Sequence, residues 1–505
     1  MDTLPKGLMI GGRFLQAASG ATFPTVNPAT GIELGQVARA GKEDVDAAVA
    51  AARSAFEGPW RGASPLERQN VLLRLASAVE DSIEELALLD TLDVGIPITR
   101  SRAGVAGAAN ALRAYASAAR TIRGSTIENS VSRDMFSYTL KEPVGVVGAI
   151  IPWNNPVNTM VGKIGPALAA GCTVVVKPAE QSPLSAVRLA ELCLEAGVPD
   201  GVVNVLTGFG DAGAALAYHP GVDKISFTGS VKTGQAIIRA SAGNMKRLTL
   251  ELGGKSPDIV FADADLSAAV PGAAMGAYLL SGQFCAAGTR LFVERPVYDE
   301  FIQAVVDYGR ELAVGDPLDD STVLGPLVSG EQLTKVLEYV ESGLTDGARL
   351  LSGGRHLTDD GYAGGFYMRP TVFGEVRSSM AIAQEEIFGP VLSAMPFDDI
   401  DEVLSAANST QYGLASGVWT SDVRKAHWLA PRLESGMVWV NTYGNYDKAV
   451  PFGGYKMSGL GLENGSEGLD QYLRTKCVWI DGSRPVPSAA APTAPTEISS
   501  QVSDE

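Results

Sequence analysis

The sequence predicts an α/β protein with two doubly wound domains, and three observations predict it. From Gly145 onward, short β-branched runs alternate with helical stretches, the texture of a parallel sheet covered on both faces. A second alternating set runs from Asp258 to about Val440. The chain is also 505 residues long, about three times a usual single-domain length and ample for two buried cores.

Taken in order, the first third reads as helical. Asp44 to Phe56 carries Val45, Ala48, Val49, Ala52 and Phe56 at helical spacing and stops at Gly58. Ser64-Pro65-Leu66-Glu67 combines an N-cap, a proline at the first helical position and a glutamate three residues on, which predicts one long helix to about Leu89. A third helix is expected over Val105–Ala119. In the first alternating set the expected strands are Gly145–Ile151, Thr173–Lys177, Val202–Leu206 and Lys224–Phe227. Helices between them are expected over Val157–Ala169, Ser182–Glu195, Asp211–Ala217 and Lys232–Ala242. In the second, strands are expected at Ile259–Phe261 and Arg290–Glu294, with helices at Val297–Leu312, Leu333–Ser342 and Val423–Leu433. Asp134–Lys141 and Tyr472–Ile480 fit neither set, and exposed edge strands of this kind commonly pair with another subunit. Beyond Asp481 a Ser-, Ala-, Pro- and Thr-rich acidic tail is expected to be disordered.

Composition excludes several classes of function. A formal net charge of −17 repels phosphate backbones and anionic leaflets, so neither nucleic acid nor a membrane is an expected partner. The longest apolar run, near Val144 to Trp153, is too short to span a bilayer. Met1-Asp2-Thr3-Leu4-Pro5-Lys6 shows no secretory leader, and the expected location is cytoplasmic. Cys172, Cys193, Cys285 and Cys477 make no disulfide framework and no zinc motif, so no metal is expected. Three histidines, none in a motif, leave acid–base chemistry to other groups.

The chemistry-bearing stretches cluster at predicted strand ends. Gly208-Phe209-Gly210-Asp211-Ala212-Gly213 has a dinucleotide-binding spacing, equally readable as a structural turn. Phe227-Thr228-Gly229-Ser230 leads into a helix and offers backbone N–H groups to a pyrophosphate. Lys177-Pro178-Ala179-Glu180 offers a carboxylate to ribose hydroxyls, and three such turns at consecutive strand ends point to one crevice. Cys285, in Ser281-Gly282-Gln283-Phe284-Cys285-Ala286-Ala287-Gly288, reads by default as a buried small hydrophobe. The small residues around it also suit a tight turn that exposes the sulfur. Glu251, before Leu252-Gly253-Gly254-Lys255, reads either as inert or as a base over a cleft. Asn154, in Pro152-Trp153-Asn154-Asn155-Pro156, reads as a turn residue or an oxyanion donor.

Together with Glu385-Glu386-Ile387-Phe388-Gly389-Pro390 and Pro451-Phe452-Gly453-Gly454-Tyr455-Lys456-Met457-Ser458-Gly459, these motifs in order resemble the NAD(P)-dependent aldehyde dehydrogenase superfamily of the non-phosphorylating, hydrolytic type. The resemblance runs from about Leu8 to Ile480. It implies a Rossmann-like dinucleotide-binding domain (1–122 and 142–253), an α/β catalytic domain (254–455) and a small β oligomerisation arm (123–141 and 470–482), followed by the tail (483–505).

It also implies roles. Cys285 becomes the nucleophile that forms a thiohemiacetal and then a thioester. Asn154 becomes an oxyanion donor, and Glu251 the base that activates water. Trp153, Lys177, Glu180, Gly210, Gly229, Ser230, Leu252, Glu386 and Phe388 become cofactor contacts. Glu180 accepts from a free 2′-hydroxyl and repels a 2′-phosphate, so NAD is preferred over NADP, with Lys177 softening the preference. Asn155, Thr159, Gly162, Phe284, Tyr446 and Phe452 line a substrate tunnel suited to an aromatic or medium-chain apolar aldehyde, with Gly162 widening its entrance. Self-association as a dimer or tetramer follows. Leu280 and Leu462 depart from the family pattern, and the second leaves a proton-relay role for Glu463 open. Transfer of the acyl group to coenzyme A, or a catalytically retired structural homologue, are the competing readings. Retention of Cys285 and Glu251 speaks against both.

Overall fold

A computed structural model of the chain describes residues 7–359 and 361–483. The expectations for residues 1–6 and for tail residues 484–505 lie outside them. Contacts divide the chain into two units, the larger reaching to Ile122 and resuming over Pro143–Leu473, the smaller made of Arg123–Glu142 and the residues from Arg474 on.

The first sheet of the larger unit has the strand order Arg13–Leu15, Leu8–Ile10, Val203–Val205, Thr173–Lys177, Val146–Ile150, Lys224–Thr228, Arg247–Glu251, Gly459–Leu460. The five inner strands are parallel, and an antiparallel strand lies along each side. In chain order those five run outward in one direction from Val146–Ile150 and then in the other from Lys224–Thr228. Open α/β sheets bind ligands beyond the carboxyl ends at such a reversal.

Thr173–Lys177 shows why these residues make this sheet. Its five residues are all buried. Val174 and Val176 join a core with the helices Pro65–Asp81, Ile98–Ala118 and Pro156–Ala170. Val175 points the other way, toward Lys42–Glu57 and Gly210–Tyr218. Successive side chains alternate between faces, so a strand covered on both sides must be apolar throughout.

The second sheet has the order Arg349–Ser352, Thr371–Gly374, Val391–Phe397, Arg290–Glu294, Pro257–Val260, Ala415–Trp419, Met437–Val440. All pairings are parallel except that of the first strand. Helices Leu266–Tyr278 and Tyr298–Glu311 cover one face, and Gly330–Thr345 the other.

Two expectations are corrected. The capping box forms as read, with the Glu67 N–H donating to Ser64 Oγ at 3.3 Å and the Ser64 N–H donating to Glu67 Oε2 at 2.6 Å. The helix it opens nevertheless ends at Asp81, and a second helix occupies Ile83–Val94. Ser82 leaves helical geometry (φ −104°, ψ 18°); serine and aspartate compete poorly in a helix interior because their side chains bond nearby backbone. The start of the chain is also not helical. Leu8–Ile10 and Arg13–Leu15 form a hairpin across Gly11-Gly12, whose φ values of 58° and 78° suit a tight two-residue turn. Thr22–Asn27 pairs with Ile32–Ala38.

The smaller unit is a three-stranded sheet in the order Leu473–Asp481, Met135–Pro143, Thr126–Ile127. Lys476 pairs with Glu142 across it. Phe136 and Trp479 are 52% and 53% exposed. Among the described residues no helix is long and apolar enough to cross a membrane.

Candidate active site

The parallel strands of the first sheet deliver the sequence motifs at their carboxyl ends. Pro152-Trp153-Asn154 follows Val146–Ile150, while Lys177 and Glu251 are the last residues of their own strands. Thr228 lies opposite Glu251 in register. Ser230 then caps the helix Val231–Ser241, its Oγ accepting from the Thr233 N–H at 3.3 Å.

Cys285 arrives from the second sheet, on the loop between a tight turn at Leu279–Gly282 and the strand Arg290–Glu294. Leu280, Ser281 and Gly282 are all left-handed (φ 53°, 57° and 72°), a conformation costing a non-glycine residue about 1–2 kcal/mol. Surrounding bonds hold it there. Ser281 Oγ donates to the Gly325 carbonyl at 2.7 Å, and the Val328 N–H donates to Gln283 Oε1 at 2.9 Å. The buried Arg290 donates to the Lys255, Ala406 and Ala407 carbonyls at 2.8, 3.0 and 2.6 Å. Close backbone approaches complete the lock: a Cβ on Gly282 would stand 2.1 Å from the Gly389 oxygen, and one on Gly254 would stand 2.5 Å from the Cys285 oxygen.

Strand ends and loop meet at a cavity of about 190 Å³. Asn154, Glu251 and Cys285 line it together with Trp153, Gly229, Ser230, Leu252, Glu386 and Phe388. Asn154 Nδ2 donates to the Gln283 carbonyl at 2.9 Å, which fixes the amide beside the cysteine loop and leaves its second N–H uncommitted. Trp153 meets Phe388 edge to face at 5.2 Å between ring centres.

Burial dominates the electrostatics. It pushes the Cys285 thiol up to about 12, with the Glu386 and Glu251 carboxyls adding to the rise. Glu251 is held well above the usual carboxylate range by burial and then by Glu463, against the pull of Lys163. Among the described residues, neither Glu251 oxygen has a hydrogen-bond partner. Burial also raises Glu386 to about 7, although the Gly254 N–H donates to its Oε1 at 3.2 Å. Cys285 and Glu251 thus bring a thiol and a buried carboxyl to one cavity, group types that covalent catalysis uses as nucleophile and base.

The remaining predicted residues lie elsewhere in the larger unit. Lys177 Nζ and Glu180 Oε2 are 3.3 Å apart, and the Lys177 chain passes 3.9 Å from where a Cβ on Gly213 would sit, which brings the Gly210 loop to the same strand end. These residues do not line the cavity of Cys285. Phe284 meets Tyr446 edge to face at 5.9 Å between ring centres, and Tyr446 lies tilted against Phe452 at 5.5 Å; Phe284 and Phe452 pack in one cluster with Cys285. Asn155, Thr159 and Gly162 fall on one face of the helix Pro156–Ala170. The Asn155 carbonyl accepts from Thr159 Oγ1 at 2.8 Å.

Sequence reasoning missed Gln332 and Lys335, which also line the cavity. They stand in the first turns of Gly330–Thr345, where no motif marks them. Gln332 Nε2 donates to the Ile387 and Phe388 carbonyls at 3.2 and 2.8 Å, clamping the loop that carries Glu386. Helical spacing marks only that such residues face inward, so no signal could have found this role.

Residues 14–478 match the model of the Aldehyde dehydrogenase family. The chain is 48% identical over 478 residues to the mitochondrial aldehyde dehydrogenase of Mesocricetus auratus, covering 94% of each. It is 48% identical over 478 residues to the aldehyde dehydrogenase of Enchytraeus buchholzi, covering 94% of this chain and 95% of that one. Among solved structures, the NAD+ complex of the aldehyde dehydrogenase from Bacillus cereus superposes with a TM-score of 0.92 at 46% identity, covering 94% of this chain and 96% of that chain.

Proposed function

The chain belongs to the aldehyde dehydrogenase family, and on that premise we propose that it oxidises an aldehyde to the carboxylic acid with NAD+, through an acyl thioester on Cys285. The observation that carries this reading is the sharing of one cavity by Cys285, Asn154 and Glu251.

The chain's residues divide the work as follows. Glu251 takes the proton of the Cys285 thiol, directly or through water, and the sulfur bonds to the carbonyl carbon. The Asn154 amide and the Cys285 backbone N–H stabilise the oxyanion of the thiohemiacetal. Loss of hydride from that carbon leaves the thioester, and NAD bound in the cavity supplies the hydride acceptor. Glu251 passes the thiol's proton to solvent and then draws a proton from water, whose oxygen attacks the acyl carbon; the carbon–sulfur bond breaks, the acid departs and Glu251 returns its proton to the Cys285 sulfur. Asn154→Ala is expected to lower kcat by about 10²–10³-fold, as for other oxyanion donors, with NAD affinity retained, as initial rates and NAD titration check.

The polar groups fit the dinucleotide. Ser230 at a helix N-terminus and Trp153 beside it would lie along the pyrophosphate, Glu386 and Phe388 at the nicotinamide ribose, and Lys177 and Glu180 at the adenosine ribose, bordered by Gly210, with Gly229 and Leu252 along the path. Glu180 disfavours a 2′-phosphate by like charge. Glu180→Ser is therefore expected to raise the ratio of kcat/KM for NADP over NAD by about tenfold or more, equivalent to about 1.4 kcal/mol. An unchanged ratio would remove Glu180 from the adenosine site.

The first sheet with its helices (1–122 and 142–253) serves as the NAD domain and residues 254–455 as the catalytic domain. The smaller unit serves as the arm through which copies assemble as dimers or tetramers; its exposed Phe136 and Trp479 support this. A cytoplasmic location accords with four cysteines outside any disulfide. The aromatic walls at Phe284, Tyr446 and Phe452 support an aromatic or medium-chain body for the substrate. NADH absorbance on mixing the protein with NAD and a panel of aldehydes tests the whole reading, and silence across the panel would overturn it.

A further inference from the structure

We propose that Lys448 is a specificity-determining residue for this reaction, an ammonium at the substrate entrance that selects aldehydes carrying a carboxylate remote from the carbonyl. The proposal rests on the function argued above and names its substrate class.

Three observations lead there. The helix Pro156–Ala170 has no side chain at Gly162, and a Cβ built there would meet nothing nearer than Lys448 Nζ, at 4.0 Å. The first atom of a side chain would therefore fit there without a clash, and an ammonium bounds the space beside it. Lys448 also belongs to the stretch that brings Tyr446 onto Phe284, the neighbour of Cys285, and Phe452 onto Tyr446, so the ammonium and the aromatic wall come from one loop.

Charge matching supplies the third. The fully buried Lys163 is paired with Glu463. Lys448 has no such partner: among the described residues its side chain donates only to the neutral Asn464 Oδ1, at 3.2 Å, an oxygen that also accepts from Tyr115 at 3.3 Å. Asp447, next in the chain, turns its carboxylate to the Ala449 N–H at 2.7 Å. An ammonium has three donors, and burying it without a counter-charge is costly. Burial draws the Lys448 pKa below the usual lysine value, Glu463 opposing and Lys163 adding to the fall. Glu463 is engaged by Lys163, so a carboxylate bound beside Gly162 would give Lys448 a direct ion pair and use its spare donors. The body between the two ends of such an aldehyde lies against the aromatic cluster.

The test compares kcat/KM for 4-carboxybenzaldehyde with that for its neutral isostere 4-carbamoylbenzaldehyde, and for glutaric semialdehyde with that for pentanal. The native protein is expected to favour the charged member by about 10- to 100-fold, the value of a hydrogen bond to a charged group. The preference should appear chiefly in KM and shrink as salt rises. Lys448→Gln, which keeps a donor for Asn464 but no charge, should bring the ratio close to one; Lys448→Glu should invert it and Lys448→Arg should retain it. Because each ratio is taken within a single variant, partial loss of folded protein does not move it. A native ratio near one, or a ratio unmoved by Lys448→Gln, overturns the proposal while leaving aldehyde oxidation standing. Failure of the native protein to oxidise every aldehyde, charged or neutral, overturns the functional reading beneath it.

Discussion

Cys285→Ala is expected to abolish NADH formation, a loss of about 10⁴-fold or more in turnover, as removal of a covalent nucleophile costs elsewhere. Cys172 and Cys193 are wholly buried in the core beneath the first sheet, and of the four cysteines only Cys285 lines the cavity. Alanine removes only the sulfur, and the bonds from Ser281, Gln283 and Arg290 that shape the loop involve none of it. NAD affinity and melting temperature should therefore change little. Isothermal titration with NAD beside the activity assay checks this. A variant that still forms NADH at a tenth of the native rate would exclude the thioester route.

Glu251→Gln carries the second large effect. Hydrolysis needs a base, and such a group contributes about 10²–10⁴-fold. Glutamine keeps the shape but accepts no proton, so attack by the thiol and hydrolysis of the thioester should both slow, and steady-state NADH formation should fall by that factor while NAD affinity is retained. Acidity adds a further signature. Burial and Glu463 raise the Glu251 carboxyl well above its usual range, so its basic form is scarce in acid and grows as pH rises. Native turnover should climb with pH through and above neutrality, and this limb should vanish in Glu251→Gln. The same climb in both would assign the limb to another group.

Much of this architecture is legible in the chain itself, for identifiable reasons. Thr173–Lys177 is read residue for residue because its centre, buried on both faces, is an unbroken run of three valines. The Ser64–Glu67 capping box marks a helix start because its chemistry is local. The break at Ser82 is less visible, since one serine within a helical pattern is ordinarily tolerated. The Leu8–Leu15 hairpin escapes because its strands are three residues each, too short for alternation to register. The Gly11-Gly12 pair was the available cue. At the site, Cys285, Glu251 and Asn154 stand out through motifs, whereas Gln332 and Lys335 stand in the first turns of a helix whose pattern records only burial. Lys448 carries no motif either. Its meaning depends on the empty position of Gly162, nearly three hundred residues away, and only folding brings the two together.

The glycine contacts around the cysteine loop bear on how the sulfur travels during turnover. Gly282 abuts one neighbouring carbonyl, and the Cys285 carbonyl is itself hemmed in by Gly254, so the main chain on either side is pinned like a hinge leaf screwed to two frames. Between attacking the aldehyde and presenting its acyl group for release, Sγ has one inexpensive freedom left, a swing about the Cα–Cβ bond among three staggered settings. The chemistry would then be timed by a torsional click of a single side chain rather than by any breathing of the backbone.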